Sequence, residues 1–408
     1  MLLSVNDARA KLLATFRPLP PETIPLAQAA GRVLAEPVLA PADLPPFSNS
    51  SMDGFAVRAD DVATSGAQHS VRLQVVADIP AGKPSAVTLQ PGQAARIMTG
   101  APLPEGADAV VPVEETDFNQ RDAGSTPPAE VAILRPVSAG AYVRPRGQDL
   151  HTGDVVLAPG IILRPKEIGM LAMLGHAEVR VIRRPRVAVL STGDELLPVG
   201  SPAEPGKIYE SNAHTLSALI EETGAIALNL GIAPDRAEAV QEKLDLAVAG
   251  GADVILTSAG VSVGAYDFVR HVVELHGRLD FWRVNMRPGK PLAFGEYRGV
   301  PFIGLPGNPV STYVGFEVFV RPAFCRLLGT PWVRETLHAV LEEGIESDGR
   351  ESYLRGVVTL REGRRYVRLT GHQGSGNHYS LVQANAFIIV PGSVKSLPLG
   401  SEVEVWPL

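Results

Sequence analysis

Apolar positions recur along this chain with two periods, and the period changes from region to region. Near the start, "VNDARAKLLATF" has helical spacing, and Ser4 and Asp7 form a capping box with Asp in the place of Glu. A second short helix is expected over "LAQAAGRVLA". "PADLPPFSNSSMDGFAV" ends the helical pattern and opens an extended region. Short β-type runs broken by Gly and Pro follow: "GFAVRA", "VRLQVVADI", "AARIMTGA", "ADAVVPVEE" and "AEVAILRPV". They predict a small all-β domain, with "FNQRDAGSTPPAE" as an exposed hairpin loop. A connecting segment comes next, helical in its last part.

The middle of the chain alternates. "RVAVLSTGDEL" reads as a buried strand and its turn. "SNAHTLSALIEETG" reads as a helix with Ser211 or Asn212 as cap and Gly224 as stop. Strand "IALNLGIAPD", helix "RAEAVQEKLDLAVAGG" and strand "ADVILTSAG" continue the pattern, and "TYVGFEVFVRPAFCRLLG" closes it as a helix. Strands alternating with helices imply a parallel sheet with crossover helices. After Thr330 the runs are short and β-like again: "SYLRGVVTLR", "RYVRLTG", "AFIIVPG" and "EVEVW". The expected architecture is a multidomain α+β protein. Residues 1–45 with 141–177 form a discontinuous helical/linker domain, 46–140 a small β domain, 178–329 an α/β domain with a parallel-type sheet, and 330–408 a C-terminal β domain of barrel type.

Composition bounds this picture without redrawing it. The 408 residues suffice for about two to four domains at ~150 each. Hydrophobic residues at 45 % and charged residues at 20 % are ordinary globular values. A net charge of −7 argues against a general nucleic-acid binder but leaves room for a local anion site. The single cysteine, Cys325, builds neither a disulfide framework nor a Cys-rich metal site, and is read as core packing. Asp7 and Arg9 come too early for a signal peptide, and no apolar run approaches the ~18 residues of a membrane span. The expectation is a cytoplasmic protein with no membrane or nucleic-acid partner.

Three turns carry candidate chemistry: "STGDEL" (191–196), "TSAGVSVGAYD" (257–267) and "GLPGNPVS" (304–311). In an open α/β sheet, ligands bind at the carboxyl ends of the strands, where loops meet helix N-termini. Glycines allow close backbone approach, and free N–H groups at a helix start favour phosphate. Thr257, Ser258, Gly260, Ser262 and Gly264 are therefore candidate phosphate-binding residues, and all three turns are expected to lead towards helices. The acids Asp194, Glu195, Asp235 and Asp267 lie beside them, and carboxylates next to phosphates call for Mg²⁺ between the like charges. The basic stretch "WRVNMRPGKP" groups Arg283, Arg287 and Lys290 as an oxyanion clamp or a solvated hairpin edge. The nine histidines show no metal-ligand spacing; His372 and His378, in "GHQGSGNHYS", could bind metal, and local hydrogen bonding is the preferred reading.

Taken in order, "SSMDGFAV", "MTGAPLPEGADAVVPVEE", "STGDEL", "TSAGVSVGAYD", "RPGKPLAFG", "GLPGNPVS" and "TGHQGSG" resemble the signatures of the molybdopterin molybdenumtransferase (MoeA) family, which gephyrin carries as a domain. The resemblance covers nearly the whole chain. It implies the last step of molybdenum cofactor synthesis, in which molybdate and adenylylated molybdopterin give the cofactor and AMP with Mg²⁺. It also implies a homodimer, with the cleft between the α/β domain of one subunit and the small β domain of the other. Further implied partners are the enzyme that adenylylates molybdopterin and the enzymes that accept the cofactor.

By the same resemblance, Asp53 and Thr99 reach the partner's cleft, and Arg144 and Asp149 belong to an "RxRGxD" element. Glu195, Asp235 and Asp267 surround the adenylylated phosphate, with Glu195 and Asp267 as Mg²⁺ ligands. Lys290, Ser311, Arg355 and Ser375 match residues associated with molybdate, and Pro306 and Pro309 shape the loop beside them. The chain departs from the family pattern at Arg283 and Arg287, where Lys is frequent, and at Ala259, where Gly is common; a side chain at Ala259 is awkward if the position needs φ > 0. Two rival readings stay open: a molybdopterin adenylyltransferase, whose domain usually stands alone without the flanking β domains, and a non-catalytic scaffold of the gephyrin type.

Overall fold

The computed structural model describes residues 2–66, 68–118, 125–259 and 268–408. Its chain divides into two compact units: Met1–Glu36 with Pro159–Gly169 and Ala177–Leu408, and Pro37–Ala158 with Met170–His176.

In the larger unit, helix α1 (Val5–Leu13) starts at N-cap Ser4, whose hydroxyl accepts the Asp7 N–H and donates to the Asp7 carboxylate. A mixed sheet follows. Its strands are β1 (Arg186–Thr192), β2 (Ile226–Ala233), β3 (Val254–Ser258), β4 (Gly277–Arg283), β5 (Pro291–Tyr297) and β6 (Val300–Leu305), in the order β2-β1-β3-β6-β5-β4. β2, β1, β3 and β6 are parallel, while β5 and β4 continue the sheet antiparallel. The parallel reading therefore holds for the crossover part of the sheet, and the hairpin-rich stretch after it adds an antiparallel edge.

Both faces of the sheet are covered. Along β1, Val187 and Val189 point to one core while Ala188 and Leu190 point to another, as the two-residue strand period requires. Helix α2 (Asn212–Glu222) packs Ala213, Leu216, Leu219 and Ile220 on the first face. On the second lie α3 (Ala237–Ala249) with Val240, Leu244 and Ala247, and α4 (Phe268–His276) with Val269, Val272 and Val273. The single helix expected after "GLPGNPVS" is α5 (Pro309–Gly315), a π-helical turn Phe316–Val320 and α6 (Arg321–Leu328). Among the described residues, no helix is long and apolar enough to cross a membrane.

The C-terminal strands close on themselves. β7 (Leu337–Leu341), β8 (Glu351–Arg361), β9 (Arg364–Leu369), β10 (Ala386–Val390) and β11 (Glu402–Pro407) form a barrel, because β8 pairs with both β9 and β10. Leu354, Val367, Ile388 and Val405 fill its interior, while Tyr353, Phe387 and Trp406 face outward into the core shared with the sheet.

Two local expectations fail in this unit. Only a 3₁₀ turn, Leu26–Gln28, forms in "LAQAAGRVLA". Gly31 takes φ 76, and Val33 and Leu34 then pair as extended bridges with Ile162 and Val181. "STGDEL" does not run into a helix either. Leu196–Leu197 pairs with Ile208–Tyr209, and α2 begins only at Asn212.

In the smaller unit, the five expected β runs form one sheet in the order Ala109–Pro112, Gly54–Val57, Gln93–Ile97, Val71–Ile79, Glu130–Ile133. Gly54 has no alternative there, because a Cβ would collide with the backbone oxygen of Val111. Most of the expected hairpin loop, 119–124, lies outside the described residues.

Candidate functional site

Strand order reverses between β1 and β3, so the crevice at their carboxyl ends is the natural ligand site of this sheet. β1 ends in buried Ser191 and Thr192, and β3 in buried Thr257 and Ser258. Gly260, Ser262, Gly264 and Asp267 lie outside the described residues.

Ala259, just past β3, has φ 83 and donates its N–H to Leu305 O at 3.0 Å. The departure from glycine thus falls on a left-handed position, which costs a non-glycine residue roughly 1–2 kcal/mol. Ala259→Gly is expected to raise the melting temperature of the unit by about 1–3 °C, after allowing for the greater chain entropy of glycine. Scanning calorimetry checks this, and an unchanged or lower transition would remove the strain argument.

The acidic end of the crevice is built from three carboxylates. Asp194 and Asp235 hold each other's backbone: Asp235 N–H donates to Asp194 Oδ1 at 3.1 Å, and Asp194 N–H to Asp235 Oδ2 at 3.4 Å. The Glu195 carboxylate folds over Gly193, in the space a Cβ there would occupy. Partial burial pushes the Asp235 carboxyl up from its ordinary value, and the charges of Asp194 and Glu195 add to the rise. Among the described residues, no cluster of three or more His, Cys, Asp or Glu has metal-holding geometry.

A second, basic cluster is built around Arg355 of β8. This side chain is 0 % exposed. Its Nε donates to Ser380 Oγ at 2.9 Å and its Nη2 to Gly374 O at 3.1 Å, while buried Nη1 has no hydrogen-bond partner among the described residues. Burial lowers the guanidinium to about 10, and the charge of Arg287 adds to the fall. Arg287 arrives there because Met286–Arg287 pairs in parallel with Glu351 and Ser352 of β8.

Gln373 clamps the adjoining loop, accepting the Arg355 N–H at 2.9 Å and donating to Arg355 O at 3.2 Å. Ser375 is held by Asn308 Nδ2 at 3.0 Å and by the Val310 N–H at 3.1 Å. Ser311 is buried, and its carbonyl lies 3.7 Å from where a Gly289 Cβ would stand, so the "RPGK" turn meets the start of α5. Buried Pro306 accepts the Thr312 hydroxyl, and Pro309 is the first residue of α5. Arg283 and Lys290 are exposed at the two ends of the hairpin, joined by Val284 N–H to Lys290 O at 2.8 Å.

In the smaller unit, exposed Asp53 accepts the Thr99 N–H at 2.7 Å and the Thr99 hydroxyl at 2.8 Å through Oδ1. Arg144 pairs with Asn49, and Asp149 donates its N–H to Leu44 O. What staples this loop is Asp43, which sequence reasoning missed. It accepts Arg146 Nε at 2.7 Å and both the N–H and hydroxyl of Thr152 at 2.9 Å. These bonds, the Thr152 N–H first, hold its carboxyl down at about 2.

Other side chains with no motif of their own also proved structural. Ser211 holds the N-cap position of α2, as one of the two expected residues, but its side chain makes no cap hydrogen bond; Glu210 accepts the Ala213 N–H at 2.7 Å instead. His378 bonds locally through its backbone N–H to Gly376 O at 3.0 Å, but its Nδ1 is buried without a partner among the described residues. Cys325 is half-buried and lines a separate cavity of about 710 Å³ with Arg164, Arg321, Trp332 and Arg334. That cavity contains none of the residues of the strand-end crevice or of the Arg355 cluster, whose convergent polar groups mark them as the candidate site.

Comparison with known families agrees along the chain. Residues 3–175 match the MoeA N-terminal region (domain I and II), 188–326 a "probable molybdopterin binding domain", and 338–408 the MoeA C-terminal region (domain IV). Molybdopterin molybdenumtransferase 2 of Mycobacterium tuberculosis is 40 % identical over 414 residues, covering 99 % of each chain. The molybdopterin molybdenumtransferase of Haemophilus influenzae is 38 % identical over 412 residues, covering 100 % of this chain and 98 % of its own. Among solved structures, a molybdopterin biosynthesis MoeA protein from Pyrococcus horikoshii OT3 superposes with a TM-score of 0.82 at 30 % identity, with 100 % of both chains covered.

Proposed function

The chain belongs to the MoeA family of molybdopterin molybdenumtransferases, transferases of molybdenum cofactor biosynthesis, and from that premise we propose that it joins molybdate to adenylylated molybdopterin and releases AMP. The observation that carries the reading is Arg355. A buried guanidinium with a second arginine beside it, and a buried Nη1 without a partner among the described residues, has the chemistry to take an oxyanion.

Molybdate, a tetrahedral dianion, enters this reading as substrate. Arg355 and Lys290 offset its charge, and the Ser311 and Ser375 region shapes the pocket. Thr257 and Ser258 end β3 at the strand-end crevice, where the pyrophosphate linkage of the second substrate would lie. Water cleaves that linkage to give AMP and the phosphate of molybdopterin, and the two thiols of the substrate bind molybdenum as one oxo group of molybdate leaves with their protons as water, so no catalytic cysteine is required.

The acidic end fits Mg²⁺. Its donors are oxygen only: Asp194, Glu195 and Asp235 bring three carboxylates together, and although burial is the first cause of the rise of Asp235, the like charges beside it are of the kind a hard cation would relieve. Glu195 would hold it together with Asp267. When bound, Mg²⁺ supplies neutralisation of the phosphate charge.

We extend the reading to a homodimer in which Asp53 and Thr99 of one subunit serve the cleft of the partner, as the family resemblance implies. One set of assays tests both parts. Lys290→Ala should weaken molybdate use about 2- to 5-fold, because the side chain is exposed and a solvent-screened charge contact is worth roughly 0.2–1 kcal/mol. Glu195→Ala should stop AMP release even at saturating molybdate. Mixing Glu195→Ala with Asp53→Asn subunits should restore part of the activity, since one cleft of a mixed dimer is then intact. Rescue of Glu195→Ala by excess molybdate would reverse the assignment of the two ends, and no recovery under confirmed subunit exchange would remove the shared cleft.

A further inference from the structure

We propose that Asn212 is a positioning residue for molybdenum transfer, holding the turn after β6 in alignment with the end of β3; this rests on reading those turns as the substrate site. Asn212 opens α2, and its amide nitrogen donates to two acceptors on different strands. Ser258 Oγ, at the end of β3, is 2.6 Å away, and Gly307 O, just past β6, is 2.7 Å away. The helix does not need this side chain for its own start. Glu210 Oε1 performs that capping with the Ala213 N–H, and also accepts the Ser191 hydroxyl of β1 at 2.9 Å. The Asn212 amide is thus committed to a cross-link between turns.

The cross-link continues through the next asparagine. Asn308, adjacent to Gly307, donates to Ser375 Oγ at 3.0 Å. Gly374, adjacent to Ser375, accepts Arg355 Nη2 at 3.1 Å. A path of hydrogen bonds and peptide links therefore runs from the hydroxyl of Ser258 to the guanidinium of Arg355, and Asn212 is its first bridge. The sheet's own bonding between these strands ends at Ala259 N–H to Leu305 O, two residues before Gly307. The ideal Cβ position at Gly307 lies 3.4 Å from the Ala259 Cβ, so the two turns are already in contact where Asn212 pins them.

Two substrates held on opposite ends of one crevice react only if their atoms meet in the right geometry. A displacement of about 1 Å can lower the rate about 100-fold without changing the affinity of either end. That is the signature expected of Asn212. It touches the turn that separates the two ends, not the groups of the oxyanion pocket.

Asn212→Asp keeps the side-chain shape and replaces both donated hydrogens with an acceptor facing Gly307 O. In transfer assays on the full chain with adenylylated molybdopterin and molybdate, kcat should fall about 10- to 100-fold. The Kd for molybdate alone, by equilibrium dialysis, should stay within about threefold of the parent value. Amide hydrogen exchange across 305–311 should rise, with the rest of the sheet unchanged. Asn212→Ala carries the same test if the first variant does not fold. A kcat within about threefold of the parent, or a molybdate Kd that rises as far as kcat falls, would overturn the positioning role. A parent chain without transfer activity would instead overturn the reading of the site. The exchange measurement would still decide the cross-link, unchanged exchange at 305–311 counting against it.

Discussion

Arg355→Leu is expected to abolish molybdate-dependent turnover while leaving the fold intact or slightly more stable. The guanidinium is fully buried, sits beside Arg287, and has neutral partners only among its hydrogen bonds, Ser380 and Gly374. Losing a desolvated charge contact costs about 2–5 kcal/mol, so molybdate affinity should drop by a factor of roughly 30 to several thousand. The stability side follows from linkage. A base whose folded pKa lies below its unfolded value binds its proton less tightly in the folded state. The resulting cost is fully present below about 10 and declines only as the pH rises through the interval from there to the ordinary arginine value. Leucine removes that cost at neutral pH. Isothermal titration with molybdate and thermal denaturation at neutral pH give the two readouts. Unchanged molybdate affinity in a folded variant would remove Arg355 from the oxyanion site.

The second large effect concerns Glu317, a 2 % exposed carboxylate in the π-helical turn. It accepts Arg321 Nη2 at 2.7 Å and Arg334 Nη1 at 2.7 Å, and Arg334 Nη2 in turn holds Pro407 O of β11 at 2.7 Å. Breaking a buried charge group by removing one member costs about 3–5 kcal/mol, because the remaining charges stay buried without compensation. Glu317→Ala should lose that much in urea denaturation, and Glu317→Gln somewhat less. A loss below about 1 kcal/mol would mean that water or Glu222 takes over the pairing with Arg321.

The sequence carried the strand and helix order because its periods are local. β1 alternates Val187, Ala188, Val189, Leu190 between two cores, and the Ser4–Asp7 cap is decided within one turn of α1. It carried the fold class and the family for the same reason, since the turn motifs are contiguous. The closure of the barrel was not legible beyond its type, because pairing β8 with β10 depends on partners some thirty residues apart. The π-helical turn was hidden because "TYVGFEVFV" has ordinary helical spacing, and nothing local announces that Glu317 will meet Arg334. Ser-Asn before an apolar run offers Ser211 or Asn212 as the cap of α2; Ser211 holds that position, while the contacts of Asn212 with Ser258 and Gly307 are tertiary and leave no local signal. Ala259 is the reverse case, where the concern about a positive φ was legible in the sequence and the backbone takes it.

The closed barrel also limits how such a protein can diversify. β8 is bonded along both edges, and Arg355 stands opposite Phe387, with Leu354 turned into the barrel interior. Sliding β8 by one residue would send position 355 inward and bring Leu354 to the pocket, while breaking the register with two neighbours at once. On the proposed reading of Arg355, a lineage that comes to handle a different oxyanion would exchange side chains around a fixed arginine, on the 371–380 segment and at Arg287, Lys290 and Ser311, and leave the register of β8 alone. Inherited variation in ligand preference should accumulate at those positions, and the strand beneath them should stay the same length.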